Sequence, residues 1–252
     1  MTAVLEIEGL YKSFGGIVVA QDINLEVAAG QILGLIGPNG AGKTSLFNLI
    51  SGVERPDQGR VLLNGSPLER LSIPNRARQG LARTWQNLRL FSSLTVLDNL
   101  LIGTRLYPGE SMWNVFLRPG QLAAHERQSV EKALAILENI GLQDVWDHIV
   151  TDISYGQQKL VGVGRALMND ADCLLLDEPM AGVEGQAYET MQRVVREAAA
   201  SGVAVCVVEH NVSFIKDLCD SGIFMFSGRI LASGAVDDLI SDERLTELYF
   251  GT

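Results

Sequence analysis

A short glycine-rich segment at positions 37–45, GPNGAGKTS, constrains the fold of this chain more than any other feature. It matches the pattern G-x-x-x-x-G-K-[ST] and lies between the apolar run Ile32–Ile36, typical of a buried strand, and Thr44–Ile50, which has helical spacing. Glycines let backbone N–H groups point at phosphate oxygens, and the following helix adds the positive end of its dipole. The segment therefore predicts a phosphate cradle. The residues expected to line it are Gly37, Pro38, Asn39, Gly40, Ala41, Gly42, Lys43, Thr44 and Ser45.

Two side chains of this cradle are expected to carry its chemistry. Lys43 can reach the β- and γ-phosphates of a nucleotide, and the hydroxyl of Thr44 can hold Mg²⁺. A phosphate cradle alone is compatible with a kinase, a GTPase or a transport ATPase. The choice among them rests on the second half of the chain.

A second signal is the segment CLLLDEP at 173–179, an apolar run that ends in two carboxylates. Neighbouring positions of a strand face opposite sides, so Asp177 and Glu178 are expected to have different roles. We predict that Asp177 holds Mg²⁺ through its water shell. Glu178 is predicted to accept a proton from the attacking water or to orient that water.

The charge balance limits the partners of the chain. Its 252 residues include 30 acidic and 20 basic side chains, a formal net charge of −10, and its Lys and Arg residues form no run. Nucleic acid and anionic lipid repel such a chain on average, so we expect no nucleic-acid partner. The sequence has no apolar stretch long enough for a membrane helix, and its first residues do not resemble a secretory signal. Any membrane association is therefore expected to depend on another protein.

The second half of the chain alternates between strand and helix patterns. Leu174–Leu176 and Val203–Val208 are apolar runs typical of strands buried on both faces. Helical patterns occupy roughly Gly156–Met168, Gln186–Ala199 and Val212–Leu218. This alternation predicts an α/β fold with a parallel sheet wrapped by helices.

The first half and the middle follow different patterns. Val4–Ile7 and Val18–Val27 read as strands, and Val61–Leu63 before Asn64-Gly65 indicates a hairpin. Helical periodicity in the middle indicates a helical lobe over about 87–153, inserted into the α/β core, while the tail from Val236 reads as one or two short helices.

The segment ISYGQQK at 153–159 leads to a family. The sequence resembles the ATP-binding subunits of ABC transporters, whose signature is usually Leu-Ser-Gly-Gly-Gln. Ser154, Gly156 and Gln157 match this signature, whereas Ile153 stands in place of the leucine and Tyr155 in place of the first glycine. The resemblance covers essentially the whole chain.

This resemblance implies a fold and a division of the chain. The implied fold is a P-loop NTPase (ABC ATPase) core with a mostly parallel sheet, an N-terminal antiparallel β part and an inserted helical subdomain. We expect one ABC ATPase domain over 1–252, with 1–86 and 154–234 as the nucleotide-binding core. The implied inserted helical subdomain is 87–153, and 235–252 form a C-terminal helical tail.

The resemblance also assigns roles to single residues. Phe14 sits where these proteins place an aromatic ring on the adenine, and Gln86 matches a glutamine that meets Mg²⁺ and senses the membrane subunit. His210 matches a switch histidine that contacts the γ-phosphate. The implied catalytic residues are Glu178, His210, Gln86 and Lys43. The implied Mg²⁺ ligands are Thr44, Gln86 and Asp177. Ser154, Gly156 and Gln157 are implied to contact ATP.

Further segments resemble those of branched-chain amino acid importers. They are RTWQNLRLFSSLTVLDNLLIG at 83–103, the insertion at about 104–125, and the end of the chain, where Leu248, Tyr249, Phe250 and Gly251 match. The implied function is ATP hydrolysis that powers import of branched-chain or related amino acids. Urea or amide import, lipopolysaccharide export and a soluble non-transport ABC ATPase remain alternatives.

The implied assembly is a head-to-tail pair with ATP and Mg²⁺ between its members. The signature of one subunit completes the cradle of the other, and the pair is either a homodimer or a heterodimer with a paralogous ATPase. Two membrane-spanning permease subunits are the expected partners. The implied location is cytoplasmic, peripheral on the inner face of the cell membrane. Leu88, Leu90, Phe91 and Leu94 are either core of the helical lobe or a groove for the permease.

Overall fold

A computed structural model describes residues 3–110 and 112–250 of the chain. Residues 1, 2, 111, 251 and 252, which the sequence division assigns to the core, the insertion and the tail, lie outside this description. The strands of the described residues are β1 (Ala3–Phe14), β2 (Ile17–Ala28), β3 (Ile32–Ile36), β4 (Gln58–Leu63), β5 (Ser66–Pro67), β6 (Leu81–Arg83), β7 (Cys173–Asp177), β8 (Ala204–Val208), β9 (Ser221–Phe226) and β10 (Arg229–Gly234).

The helices predicted at Gly156–Met168, Gln186–Ala199 and Val212–Leu218 are confirmed to within about one residue at each end. The helices of the described residues are α1 (Lys43–Ser51), α2 (Ile73–Arg78), α3 (Val96–Leu101), α4 (Met112–Leu117), α5 (Pro119–Asn139), α6 (Tyr155–Leu167), α7 (Gln186–Ala200), α8 (Val212–Leu218), α9 (Val236–Ser241) and α10 (Glu243–Phe250). Within the described residues, no helix combines the length and the apolarity needed to cross a bilayer.

The described strands form two sheets. The smaller one is antiparallel, with the order β2-β1-β4-β5. The larger one has the order β10-β9-β3-β8-β7-β6, in which the β9–β10 pair is antiparallel and the other neighbours run parallel. Every residue of β3, β7 and β8 is buried, because these central strands are apolar on both faces. The predicted mostly parallel sheet and antiparallel β part are both confirmed.

The chain divides into two compact units. The first contains 1–86, 172–181 and 195–252 and holds both sheets, and the second contains 87–171 and 182–194 and is helical. Helix α6, with the signature segment at its start, lies in the helical unit, whereas the sequence division assigns 154–234 to the nucleotide-binding core. Helix α6 belongs to the helical unit because it packs against α3 and α5. The functional division into core, insertion and tail stays a prediction.

A buried arginine supports the helix that follows the phosphate cradle. The side chain of Arg76 is almost fully buried, and its Nη1 donates to the carbonyl oxygens of Leu49 and Ile50 at 2.9 and 2.6 Å. These carbonyls belong to the last turn of α1, and that of Leu49 also accepts from the backbone N–H of Gly52 at 3.3 Å. Burial lowers the pKa of Arg76, although Glu69 opposes the shift. The guanidinium therefore satisfies the end of the helix at which the macrodipole is negative.

Replacing this arginine should destabilise the fold. We expect Arg76→Met to lower the free energy of unfolding by about 2–4 kcal/mol, because two carbonyls at the end of α1 lose a buried charged donor. Urea denaturation followed by circular dichroism measures the change. The exposed Arg78 in the same helix gives a control, and Arg78→Met should cost less than about 0.5 kcal/mol. Equal losses in the two variants would show that Arg76 does not stabilise α1.

Candidate nucleotide site

The predicted catalytic residues gather at one edge of the larger sheet. In the order β3-β8-β7-β6, each of these parallel strands is followed by a polar segment at its carboxyl end. The cradle follows β3, His210 comes shortly after β8, Glu178 follows β7, and Gln86 lies beyond β6. Ligands of open α/β sheets bind at this end of the strands. The sheet topology thus brings together groups that are far apart in the sequence.

Two glycines of the cradle occupy positions that only glycine fits. Gly37 has φ 149°, and a Cβ there would lie 2.1 Å from the carbonyl oxygen of Met225. Gly42 has φ 104°, and a Cβ there would lie 2.5 Å from the carbonyl oxygen of Val19. The left-handed conformation and the close backbone approach both require a residue without a side chain. These glycines fix the loop that leads into α1.

Lys43 lies inside the cradle. Its Nζ donates to the carbonyl oxygens of Gly37 and Pro38, at 2.5 and 3.0 Å, and its side chain is buried. Burial lowers the pKa of Lys43, while the charges of Glu178 and Asp177 act in the opposite direction. The ammonium is thus held by carbonyls of the loop itself. Next to it, Thr44 is exposed and Ser45 is half-buried in the first turn of α1.

Asp177 forms a buried ion pair that the sequence does not reveal. Its Oδ2 accepts from Nη2 of Arg83 at 2.8 Å, and the two side chains are 3% and 5% exposed. Nη1 of Arg83 also donates to Asn48 and Ser51 of α1, at 2.9 and 2.8 Å. Arg83 lies over the ring of Trp85, 4.2 Å from its centroid. Asp177 is therefore tied to the cradle helix through one arginine.

The other oxygen of Asp177 is a candidate metal ligand. Asp177 Oδ1 is buried and has no hydrogen-bond partner among the described residues. A buried carboxylate oxygen without a partner is costly unless a cation or a water compensates it. No group of three or more His, Cys, Asp or Glu in the described part of the chain has metal-binding geometry. The residues thus fit Mg²⁺ that is held largely by the phosphates and their waters, with few protein ligands.

Glu178 lies between two of the predicted catalytic side chains. Nε2 of Gln86 donates to its Oε2 at 2.7 Å, and Nε2 of His210 lies 3.0 Å from its Oε1. The side chain of Glu178 is 14% exposed and that of His210 is 40% exposed. Glu178 has φ 48°, a strained conformation for a residue with a Cβ, and its backbone N–H donates to Val208. The strained turn gives the adjacent carboxylates Asp177 and Glu178 different surroundings.

The signature segment begins α6 in the helical unit. The hydroxyl of Ser154 accepts from the backbone N–H of Gln157 at 3.3 Å, and the side chain of Gln157 accepts from the N–H of Ser154 at 2.9 Å. This reciprocal capping box orders the first turn. A Cβ at Gly156 would lie 3.1 Å from the Cβ of Ala187, and the ring of Tyr155 lies against Gly182. The family signature has a glycine where this chain has Tyr155, and Gly182 leaves room for the larger side chain.

Phe14 stands apart from the other predicted residues. It ends β1, its side chain is 43% exposed, and Nζ of Lys12 lies 4.9 Å from its ring centroid. No hydrogen bond or ring contact among the described residues joins it to the cradle. Its exposed face is compatible with stacking on a base, which stays a prediction.

Comparison with known proteins adds a family to this geometry. A sequence profile of the ABC transporter family matches residues 20–181. The chain belongs to the ABC transporter family. It is thus an ABC ATPase subunit, an enzyme that binds and hydrolyses ATP, and the predicted fold and family are confirmed.

The relatives of this ABC ATPase cover its whole length. It is 35% identical over 248 residues to a probable branched-chain amino acid transport ATP-binding protein LivG of Archaeoglobus fulgidus, covering 98% of this chain and 95% of the relative. It is 32% identical over 251 residues to a lipopolysaccharide export system ATP-binding protein LptB of Acidithiobacillus ferridurans, covering 100% and 98%. A nucleotide-free ATP-binding cassette from an ABC transporter superimposes with a TM-score of 0.86 at 33% identity, covering 100% of both chains.

Several polar residues of this ABC ATPase site were not singled out from the sequence. Arg83 supports Asp177, the buried Glu209 accepts from backbone N–H groups beside His210, and Tyr249 donates to the carbonyl of His210. Arg83 and Glu209 each lie at or next to the end of an apolar run, a signal that would have marked them as strand-end residues. Tyr249 carries no such local signal.

Proposed function

We propose that this ABC ATPase powers an importer of branched-chain or related amino acids. It acts as a peripheral subunit on the cytoplasmic face of the membrane, bound to two permease subunits. The observation that carries the catalytic part is the position of Glu178, whose carboxylate is contacted by both Gln86 and His210. The sequence likeness to LivG-type relatives supports the cargo class.

The first step of the proposed mechanism is nucleotide capture. The ammonium of Lys43 leaves the carbonyls of Gly37 and Pro38 for the β- and γ-phosphates, whose negative charge offers a stronger partner. The backbone N–H groups of the cradle and the start of α1 surround the phosphates. The ring of Phe14 stacks on the adenine. The remaining cradle residues, 38–41 and 45, shape this loop.

Mg²⁺ would bind together with the nucleotide. Thr44, Gln86 and Asp177 would hold it, and Arg83 orients the carboxylate of Asp177. When bound with ATP, the metal neutralises the charge that develops on the β- and γ-phosphates.

Hydrolysis needs a base and a group that recognises the γ-phosphate. Glu178 accepts the proton of the attacking water, as a carboxylate near the reacting phosphorus can. Gln86 and His210 hold the carboxylate in a defined orientation before ATP arrives. His210 then contacts the γ-phosphate, and Gln86 would be one of the ligands of Mg²⁺.

The site is completed by a second cassette. The hydroxyl of Ser154 and backbone N–H groups near Gly156 and Gln157, at the ordered start of α6, meet the γ-phosphate bound to the other subunit. Two such sites form in a head-to-tail pair, made of two copies of this chain or of one copy and a paralogue. ATP thus holds the pair closed, and cleavage of the bond to the γ-phosphate followed by release of phosphate removes the group that joins the two subunits.

The permease is proposed to bind beside the segment that follows Gln86. Nη1 and Nη2 of Arg165 donate to the carbonyls of Arg89 and Leu88 at 2.9 and 3.1 Å, and the buried Asn99 exchanges hydrogen bonds with the backbone of Phe91. The backbone is therefore fixed while the side chain of Phe91 stays 50% exposed. A fixed segment with an exposed aromatic side chain suits contact with a short helix of another protein.

The cargo can be tested with the membrane proteins that accompany this chain. The chain should co-purify from membranes with two permease subunits, and proteoliposomes of that complex should take up labelled leucine on addition of ATP. ATP-dependent uptake of urea or an amide instead would change the cargo. Export of lipopolysaccharide would favour the LptB-like alternative, which the likeness to LptB keeps open. Purification with nucleic acid or ribosomes in place of membrane proteins would overturn the transport role.

A further inference from the structure

The last helix of the chain contacts the backbone of the predicted switch histidine. The hydroxyl of Tyr249 in α10 donates to the carbonyl oxygen of His210 at 3.1 Å. The helix is anchored by Leu245, which is 6% exposed, and the preceding α9 by Val236 and Leu239, which are 5% and 7% exposed. Tyr249 is therefore attached to the sheet-bearing unit through buried side chains. The packing of α9 and α10 therefore sets the position of the Tyr249 side chain.

The peptide that precedes His210 is also held. The carboxylate of Glu209 is 5% exposed and accepts from the backbone N–H groups of Met180 and His210, at 2.6 and 3.1 Å. One buried carboxylate thus joins the segment after Glu178 to the segment that carries His210. The backbone N–H and the carbonyl of His210 have separate fixed partners.

This arrangement matters because the imidazole itself is exposed. The side chain of His210 is 40% exposed, and the contact that connects it to the catalytic carboxylate is the one to Glu178 Oε1. A shift of the His210 backbone moves the imidazole attached to it, whichever rotamer the side chain adopts. Burial raises the pKa of Tyr249, with a further contribution from Glu209, so the phenol stays protonated and can donate. The tail therefore helps to set the distance between His210 and the reacting groups.

We propose that Tyr249 is a positioning residue, through which the C-terminal helix α10 fixes His210 for ATP hydrolysis. This inference rests on the proposed catalytic role of His210 and Glu178. Tyr249 does not touch the nucleotide in this proposal. It acts through the peptide of His210, and its loss should reduce the rate of hydrolysis and leave ATP binding unchanged.

The test is Tyr249→Phe in the full chain, which removes one hydroxyl and keeps the ring. We expect kcat for ATP hydrolysis to fall by about three- to tenfold with an unchanged KM, the size expected for one lost neutral hydrogen bond. Tyr107→Phe is the matched control, because Tyr107 also donates a hydroxyl hydrogen bond, to Glu126 at 2.8 Å, but in the helical unit. The control should hydrolyse ATP at the wild-type rate. An unchanged kcat in Tyr249→Phe overturns the inference.

A double variant shows whether Tyr249 acts through His210. In a His210→Ala background, single-turnover hydrolysis should not change further on adding Tyr249→Phe, because there is no imidazole left to position. A further loss of the same factor would show that Tyr249 acts by another route and would overturn the inference. The proposed function fails separately if His210→Ala alone hydrolyses ATP at the wild-type rate. Thermal unfolding of each variant checks that the fold is kept.

Discussion

Glu178→Gln should bind ATP as the wild type does and lose nearly all turnover. The amide keeps the size of the side chain and can still accept one hydrogen bond from Gln86, but it cannot take up a proton from water. General-base catalysis is worth about 10²–10⁴ in rate, so we expect kcat to fall by about that factor. Because ATP is bound but not cleaved, the variant should also accumulate as a closed dimer. ATPase kinetics, calorimetric ATP titration and sedimentation velocity measure these three effects.

A control for Glu178→Gln is available in the antiparallel sheet. Glu8 is exposed and paired with Arg60 on the surface, so Glu8→Gln changes the same charge away from the site. This variant should hydrolyse ATP at the wild-type rate. Steady-state hydrolysis by Glu178→Gln at the rate of Glu8→Gln would exclude Glu178 as the base.

Lys43→Ala should lose most of its affinity for ATP. The ammonium is buried in the cradle, and the carbonyls that hold it belong to the loop predicted to surround the phosphates. Charge-assisted hydrogen bonds contribute about 1.5–3 kcal/mol each, which predicts a loss of about 10- to 100-fold in affinity. Isothermal titration calorimetry with ATP and Mg²⁺ measures it.

The exposed Lys216 provides the comparison for this loss. It pairs with Asp237 on the surface, and Lys216→Ala should bind ATP as tightly as the wild type. A dissociation constant for Lys43→Ala within about twofold of that of Lys216→Ala would contradict the assignment of the cradle.

The local sequence pattern predicted the strands in which every residue is buried. The runs that became β3, β7 and β8 are apolar on both faces, so their strand character does not depend on which neighbour they pair with. Strands β6, β9 and β10 and helices α2 and α4 were not identified. Strand β6 is only three residues long, and β9 follows a helix after a short connection in which no turn signal stands out. Pairing with neighbours, rather than propensity, makes these segments strands.

The same contrast between local sequence pattern and contacts in the folded chain applies to the site residues. Lys43, Asp177 and Glu178 stand in contiguous motifs and were found from the sequence, and Gln86 and His210 needed the family resemblance. Arg83 and Tyr249 lie in segments that resemble importer ATPases, but those segments assign no role to either residue, and their partners lie 94 and 39 positions away in the sequence. Which side chain meets Asp177 or the peptide of His210 depends on the order of the strands and on the docking of α10. Those relations exist only in the folded chain.

The central claim is that two chains share each ATP, and mixing two inactive variants tests it most directly. Lys43→Ala damages the cradle and keeps the signature, whereas Gly156→Asp damages the signature and keeps the cradle. A mixed pair therefore contains one intact composite site only if the signature acts on the partner's nucleotide. We predict that each variant alone is inactive and that an equimolar mixture recovers about a quarter of the wild-type rate if pairing is random. A mixture of the two folded variants that stays as inactive as either one alone would contradict the account.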